Sequence, residues 1–346
     1  MNVLSRLLFL FPIILACSSC SENFNVAAPY KPITVVYGLM DPGDTAHYIR
    51  IEKAFLDNNR SAIDMAKNPD SSFYSSLAVH LKEISAGSLL TDDLLDRVDL
   101  NKEGYTKDTG AFFSTPNYAY KSKRKLLPGN TYRLIIMNTI TGQVDSAETT
   151  IIDNFKVSDF SSAYYSVSFP NVHPEDDFKL TLASIPANAA LYEGIITFHW
   201  STRNGNLQKD DSADYSFASV TPANANSVIQ LSCPQSNFYS FLRNTVGYAG
   251  INEQRFLDSA DLVVWAGSHD LLTYNLINSA QGGITADMIK PIYTNIRSNN
   301  AGSAFGLFTA RASTSLRKIP IDQQTLDSIE KNVVTLPLNF QGRSDH

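Results

Sequence analysis

Residues His47, Ile49 and Ile51 alternate with Tyr48, Arg50 and Glu52, and a period of two between apolar and polar positions predicts a strand with one buried face. Residues 32–39 read as the strand before it. The two are joined by Asp41-Pro42-Gly43-Asp44, in which proline presets φ and glycine accepts a positive value. Residues 76–83 alternate again. The clearest unit runs from 125 to 152: Pro128-Gly129 turns the chain, Tyr132, Leu134 and Ile136 share one face, Thr141-Gly142 turns it back, and residues 146–152 return. A short helical stretch is expected at 92–98.

Beyond Asn154 the pattern changes. Residues 195–200, a turn at Asn204-Gly205 and Leu207-Gln208 predict a second hairpin, and 262–265 a buried strand. Phe238, Phe241 and Leu242 fall on one face of a predicted helix, and Leu272 and Leu276 on one face of another that stops at Gly282-Gly283. Residues 303–312 and 333–340 are expected to close the chain as strands.

The sum is a mainly β protein with a few short helices. The 125–152 hairpin resembles the last hairpin of a fibronectin type III or immunoglobulin-like sandwich. That resemblance implies an immunoglobulin-like β-sandwich over 25–154 and a larger β-rich C-terminal domain over 155–346. Length agrees, since 346 residues suit about two domains. An apolar fraction of 43% against 18% charged residues gives enough material for real cores. A net charge of −6 supplies no electrostatic footprint for nucleic acid, which requires clustered Lys and Arg, so no nucleic-acid partner is expected.

Residues 1–20 carry a different signal. Arg6 is followed by an apolar run at 7–16, the length of a signal-peptide core and too short to span a bilayer. Ile14-Leu15-Ala16-Cys17 resembles a bacterial lipobox, which implies diacylation of the Cys17 thiol; Cys20, after Ser18-Ser19, is the alternative. Several acyl chains, at about 0.8 kcal/mol per buried CH₂, make a durable anchor. The expected location is the outer membrane, reached through the N-terminal lipid. Ser21-Glu22-Asn23 resembles a surface-export signal, and the membrane face stays open. Only Cys233 remains in the body, so no disulfide framework is expected there, and its expected role is that of a small buried hydrophobe.

Residues 35–39 (VVYGL), 47–56 (HYIRIEKAFL), Tyr293-Thr294-Asn295-Ile296 and the glycine-rich 302–308, ending Gly306-Leu307-Phe308, together resemble a family of Bacteroidetes lipoproteins. That family is a domain of unknown function often associated with TonB-dependent receptors. The resemblance implies an accessory role beside such a transporter.

Signatures of catalysis are missing: there is no G-x-S-x-G, H-E-x-x-H, Walker loop or post-strand G-x-G-x-x-G. His47, His80, His173, His199 and His269 are isolated from one another, and Glu175-Asp176-Asp177 reads as a solvated loop. No cofactor or catalytic residue is expected. Asp99, Asn101 and Glu103 before Gly104 imitate the start of a calcium loop, but Gly110 stands where its bidentate carboxylate belongs. An Asp-Ser/Thr-small triplet recurs at Thr45, Ser146, Ser212, Ser259 and Ser328, where composition alone gives about one or two. It resembles the O-glycosylation acceptor motif of Bacteroidetes envelope proteins. Thr45 beside its turn and Ser212 in an expected polar loop are the best placed; Ser328 falls in an expected short helix. Tyr164, Tyr165, Tyr239 and Trp265 are candidates to line a ligand surface, with core packing as the ordinary role. The expected function is thus a non-catalytic, lipid-anchored binding or assembly partner of a TonB-dependent transporter. The alternatives are a structural or adhesive envelope component and, third, an envelope hydrolase.

Overall fold

The computed structural model describes residues 33–54, 61–108, 110–158, 165–170, 176–183, 185–224, 228–280 and 292–342. In chain order the elements begin with β1 (Ile33–Met40), β2 (His47–Ala54), α1 (Ala62–Ala66), α2 (Pro69–Ser72), β3 (Leu77–Ser85), β4 (Ser88–Leu94) and β5 (Asp96–Asp99). They continue with β6 (Tyr118–Ser122), β7 (Thr131–Asn138), β8 (Val144–Thr150), β9 (Lys156–Val157), β10 (Asp177–Ala183), β11 (Leu191–Asn204) and β12 (Leu207–Ser216). The rest are β13 (Gln230–Pro234), α3 (Gln235–Val246), β14 (Glu253–Gly267), α4 (His269–Ala280), β15 (Arg297–Ser298), β16 (Ala304–Ile319) and α5 (Gln323–Lys331). The protein is mainly β.

One long sheet organises the molecule, in the order β12-β11-β14-β16-β1-β2-β6-β5. Alternation sets its two faces: Val36, Met40, Ile49 and Ile51 point inward, as do Ala260, Leu262 and Val264 on β14. Over the β1-β2-β6-β5 half lies a five-stranded sheet, β15-β8-β7-β3-β4, which contributes Val79, Leu81, Tyr132, Leu134 and Ile136 to the same buried cluster. Over the other half lie the three-stranded sheet β13-β10-β9, α3 and α5. There Phe169 stacks on Phe178 at 4.5 Å and on Phe238 at 4.3 Å, while Phe198 of β11 meets Phe238 at 4.8 Å. The Phe169 amide donates to Thr325 Oγ1 at 2.5 Å, and Tyr239 donates to the Phe169 carbonyl, so an irregular segment is held by α3 and α5 together.

The boundary expected between residues 154 and 155 is crossed by this sheet. β1 runs parallel to β16, with Thr34 opposite Ala304 through to Met40 opposite Ala310, and β15 adds to the edge of β8. A single hydrophobic cluster contains residues from both sides of the boundary. Gly306 makes the parallel pair fit: its φ is +116°, and a Cβ there would stand 1.9 Å from the Val36 carbonyl oxygen.

Four local expectations are corrected. Residues 92–98 are not helical: β4 pairs with β3 and β5 with β6, so strand partners override a mixed local propensity. Residues 333–340 are not a strand; Pro337 lies in a 3-10 turn, Leu336–Leu338, and only Phe340 bridges, to Arg255. Leu276 is 59% exposed, because α4 lies on the outer face of the long sheet and seats Leu271 against Gly267 instead. Ser212 lies on β12, not in a loop. The stop at Gly282-Gly283 lies outside the described residues.

Candidate functional site

Between Leu94 and Asp96 the chain leaves the five-stranded sheet and joins the long one, with Leu95 buried at the crossing. The two sheet edges diverge there and enclose a groove of about 810 Å³ whose walls are charged. Arg124 grips Asp93 through two nitrogens, Nη2 to Oδ1 at 2.8 Å and Nε to Oδ2, and this holds the Asp93 carboxyl below the usual carboxylate range. Its Nη1 lies 3.5 Å from Glu83, which is only 4% exposed and accepts from Asn130 Nδ2 at 2.8 Å. Across the mouth Asp92 meets His80 Nδ1 at 2.8 Å and Lys82 Nζ at 3.1 Å, and the hydrogen bond from His80 holds its carboxyl down too. Glu103 accepts from Lys121 and, at 3.1 Å, from the Tyr48 hydroxyl. Lys123 and Lys125 stand exposed on the rim, in no ion pair among the described residues. The edge of β4 next to the groove carries Leu89, Leu90 and Leu94, each more than half exposed. Asp92, Asp93 and Glu103 each face a cation and their carboxyls are held down by it, which suits recognition more than proton transfer near neutral pH.

β5 separates this groove from a second cleft. Asp96 and Val98 line the groove, while Arg97 lines the cleft on the other side. A third cavity, about 350 Å³, lies between α4 and the outer face of the long sheet, walled by Trp265, Leu39, Leu191 and Leu271 with Glu193 and Arg311. Arg311 is already bound to the buried Asp41, Nε to Oδ2 at 2.9 Å.

Of the residues singled out from the sequence, Cys17, Cys20, Tyr164, His173 and Glu175 lie outside the described residues. Trp265 lines the third cavity, whereas Tyr239 is 2% exposed and packs in the core. Thr45 is exposed at its turn, Ser146 is half-buried inside β8 between β7 and β15, and Ser328 donates to the Pro170 carbonyl from within α5. Ser212 and Ser259 come together: they occupy the positions directly across from His199 on its two neighbouring strands. His199 Nε2 lies 3.3 Å from Asp261 Oδ2, so one sheet face holds Asp, His and two Ser. No hydrogen bond joins either hydroxyl to the ring among the described residues, and Asp261 is also committed to Lys318 N at 2.8 Å and Arg317 at 2.8 Å. The calcium-like stretch is spent on folding. Asp99 Oδ1 accepts from the amides of Asn101 at 3.1 Å and Asn117 at 3.0 Å, Asn101 Nδ2 donates to the Ser114 carbonyl, and Glu103 faces Lys121. Among the described residues no three His, Cys, Asp or Glu side chains converge as a metal site, and no helix is long and apolar enough to cross a membrane.

The glycine-rich motif near the C-terminus is structural. Asn295 pairs with the backbone of Phe308 like a strand residue, its Oδ1 accepting from the amide at 3.0 Å and its Nδ2 donating to the carbonyl at 2.7 Å; Nδ2 also donates to Asp270 at 3.0 Å. Arg97, Lys121 and Arg124 were not picked out from the sequence. The basic run 121–125 is the one signal for Lys121 and Arg124, and the acidic partners of Arg124 lie 31 positions away at Asp93 and farther still at Glu83; Arg97 has no such signal. No protein-family model matches the chain and no curated protein matches it, which leaves geometry to speak for the site.

Proposed function

We propose that this is a lipid-anchored envelope protein that binds a protein partner without catalysing a reaction, and that the partner is a TonB-dependent outer-membrane transporter. The observation that supports it best is the charged groove. Asp92, Asp93 and Glu103 are paired with cations in place, its rim keeps two exposed lysines, and β4, an edge strand among the described residues, offers exposed leucines along its open side. An extended acidic segment of a partner meets all three: strand addition along β4, apolar contact with the leucines, and charge attraction at Lys123 and Lys125. Tethering through Cys17, with Cys20 as the alternative, holds the groove at the membrane, where weak binding is multiplied by local concentration. The partner class comes from the resemblance to the lipoprotein family.

The test is affinity capture of the full-length lipidated protein from detergent-solubilised envelopes, with quantitative mass spectrometry. Specific recovery of a TonB-dependent receptor, reduced about tenfold by Lys123→Glu with Lys125→Glu, is the expected result. Recovery without any receptor sinks the reading, and recovery of a secretion or adhesion complex favours the structural alternative. Among the described residues, the grouping of His199, Asp261, Ser212 and Ser259 is the feature that favours a hydrolase. An esterase screen that Ser212→Ala or Ser259→Ala silences would revive it.

A further inference from the structure

The cleft on the far side of β5 has a different chemistry from the groove. It holds about 680 Å³, within the range of small-molecule sites, and is walled by Phe73, Tyr74, Pro116 and Tyr118 with Lys53 and Arg97. The wall is built rigidly. Phe73 is buried and meets Tyr118 edge-on at 5.2 Å and Phe113 at 5.5 Å, and the Tyr74 hydroxyl shares a hydrogen bond with Thr34 Oγ1 at 3.0 Å.

Each cation rests on a ring. The Arg97 guanidinium carbon lies 4.5 Å from the Tyr118 ring centroid, and Nη1 donates to the Tyr74 carbonyl at 3.0 Å. Arg97 is exposed, and the ring below and the carbonyl beside it orient its fork so that the remaining N–H groups are open to a two-pronged acceptor. Lys53 Nζ lies 5.9 Å from the Tyr74 centroid. In the groove, Arg124 and Lys121 face carboxylates; here, among the described residues, neither cation is in an ion pair and the one acid lining the cleft is Asp70, which is exposed. Two cations against one carboxylate leave the wall positive. Flat apolar surface, an oriented guanidinium and a nearby ammonium are complementary to a ring that carries a carboxylate: the ring packs on Pro116 and the aromatic wall, and the carboxylate takes the Arg97 fork with Lys53 alongside.

We propose that the Arg97–Tyr118 cleft is a binding site for a ring-bearing carboxylate. Two sources share that chemistry, a uronic-acid sugar and an aromatic acid. The site is separate from the groove and does not depend on the partner proposed for it.

The test is calorimetric titration of the full-length protein in detergent with digalacturonate, benzoate, neutral galactobiose and inorganic phosphate. Saturable binding of digalacturonate or benzoate, at least about tenfold tighter than galactobiose and phosphate, is expected, and which of the two binds identifies the source. Arg97→Gln removes the fork and lowers that affinity about tenfold or more, whereas Arg97→Lys, which keeps the charge, loses less. Tyr118→Leu keeps an apolar wall and removes the ring beneath the guanidinium, so it weakens binding even if Arg97→Gln folds poorly; circular dichroism checks each fold. Galactobiose binding as tightly as the acids, phosphate matching them, binding unchanged by Arg97→Gln in a folded variant, or no saturation by either acid overturns the proposal.

Discussion

Replacing Gly306 by alanine tests the joint on which the long sheet depends. Gly306 faces Val36 across the parallel β1–β16 pair, and its φ of +116° is one that an L side chain rarely adopts. Holding alanine there costs on the order of 1–3 kcal/mol. The added Cβ would also lie 1.9 Å from the Val36 oxygen and 2.8 Å from the Val36 carbon and nitrogen, all backbone atoms that no rotamer change can move. Relief requires β1 and β16 to part locally, which forfeits about two ladder hydrogen bonds at about 1 kcal/mol each. The expected total is about 3–5 kcal/mol. Gly302 is the control, since its φ is +70° with nothing within 4 Å of an added Cβ. Gly302→Ala meets only the conformational cost, about 1–2 kcal/mol. Denaturant unfolding of both variants should separate them by about 2–3 kcal/mol, and thermal unfolding by roughly 3–4 °C. Agreement between the two within about 0.5 kcal/mol would refute the close approach of β1 and β16.

His47 is 2% exposed, its Nε2 lies 3.1 Å from the Arg124 carbonyl and its Nδ1 has no hydrogen-bond partner among the described residues; burial lowers its pKa. Its contribution to stability is therefore complete above the unfolded value of about 6.5 and is lost as pH falls through the folded one. Unfolding free energy measured from pH 8 to pH 5 should decline below about 6.5, and His47→Gln, which keeps a donor for the carbonyl, should flatten that decline. Asn295→Asp sets a carboxylate against Asp270 and the Phe308 carbonyl in place of two donated hydrogen bonds. The cost should be about 2–4 kcal/mol with faster hydrogen exchange at the Phe308 amide, and an unchanged exchange rate would contradict the latch. Burial pushes the Cys233 thiol up to about 11. Alkylation at pH 8, followed at the Cys233 peptide, should proceed at the rate of global unfolding, and rapid native-state labelling would contradict its burial.

The faces of the strands were legible because a period of two needs no partner to be read. His47, Ile49 and Ile51, and Tyr132, Leu134 and Ile136, point inward as their alternation requires. The helix at Phe238 also follows its pattern, with Phe238 and Leu242 buried. Leu276 misled because helical spacing identifies an apolar stripe without saying what covers it, and α4 lies on a sheet face that other residues contact first. At 92–98, pairing with β3 and β6 outweighed local preference.

Strand faces, turns, the apolar N-terminal run and its cysteines were determined by the sequence alone, because each depends on neighbours within a few residues. Tertiary structure decided which strands pair. β1 meets β16 about 270 positions later, and a parallel pair leaves no turn between its strands to announce it. The clefts follow the same logic. Arg97 over Tyr118, and Arg124 against Asp93, are contacts between side chains brought together by sheet edges, and their strength lies in distance and orientation. Spacing along the chain records neither.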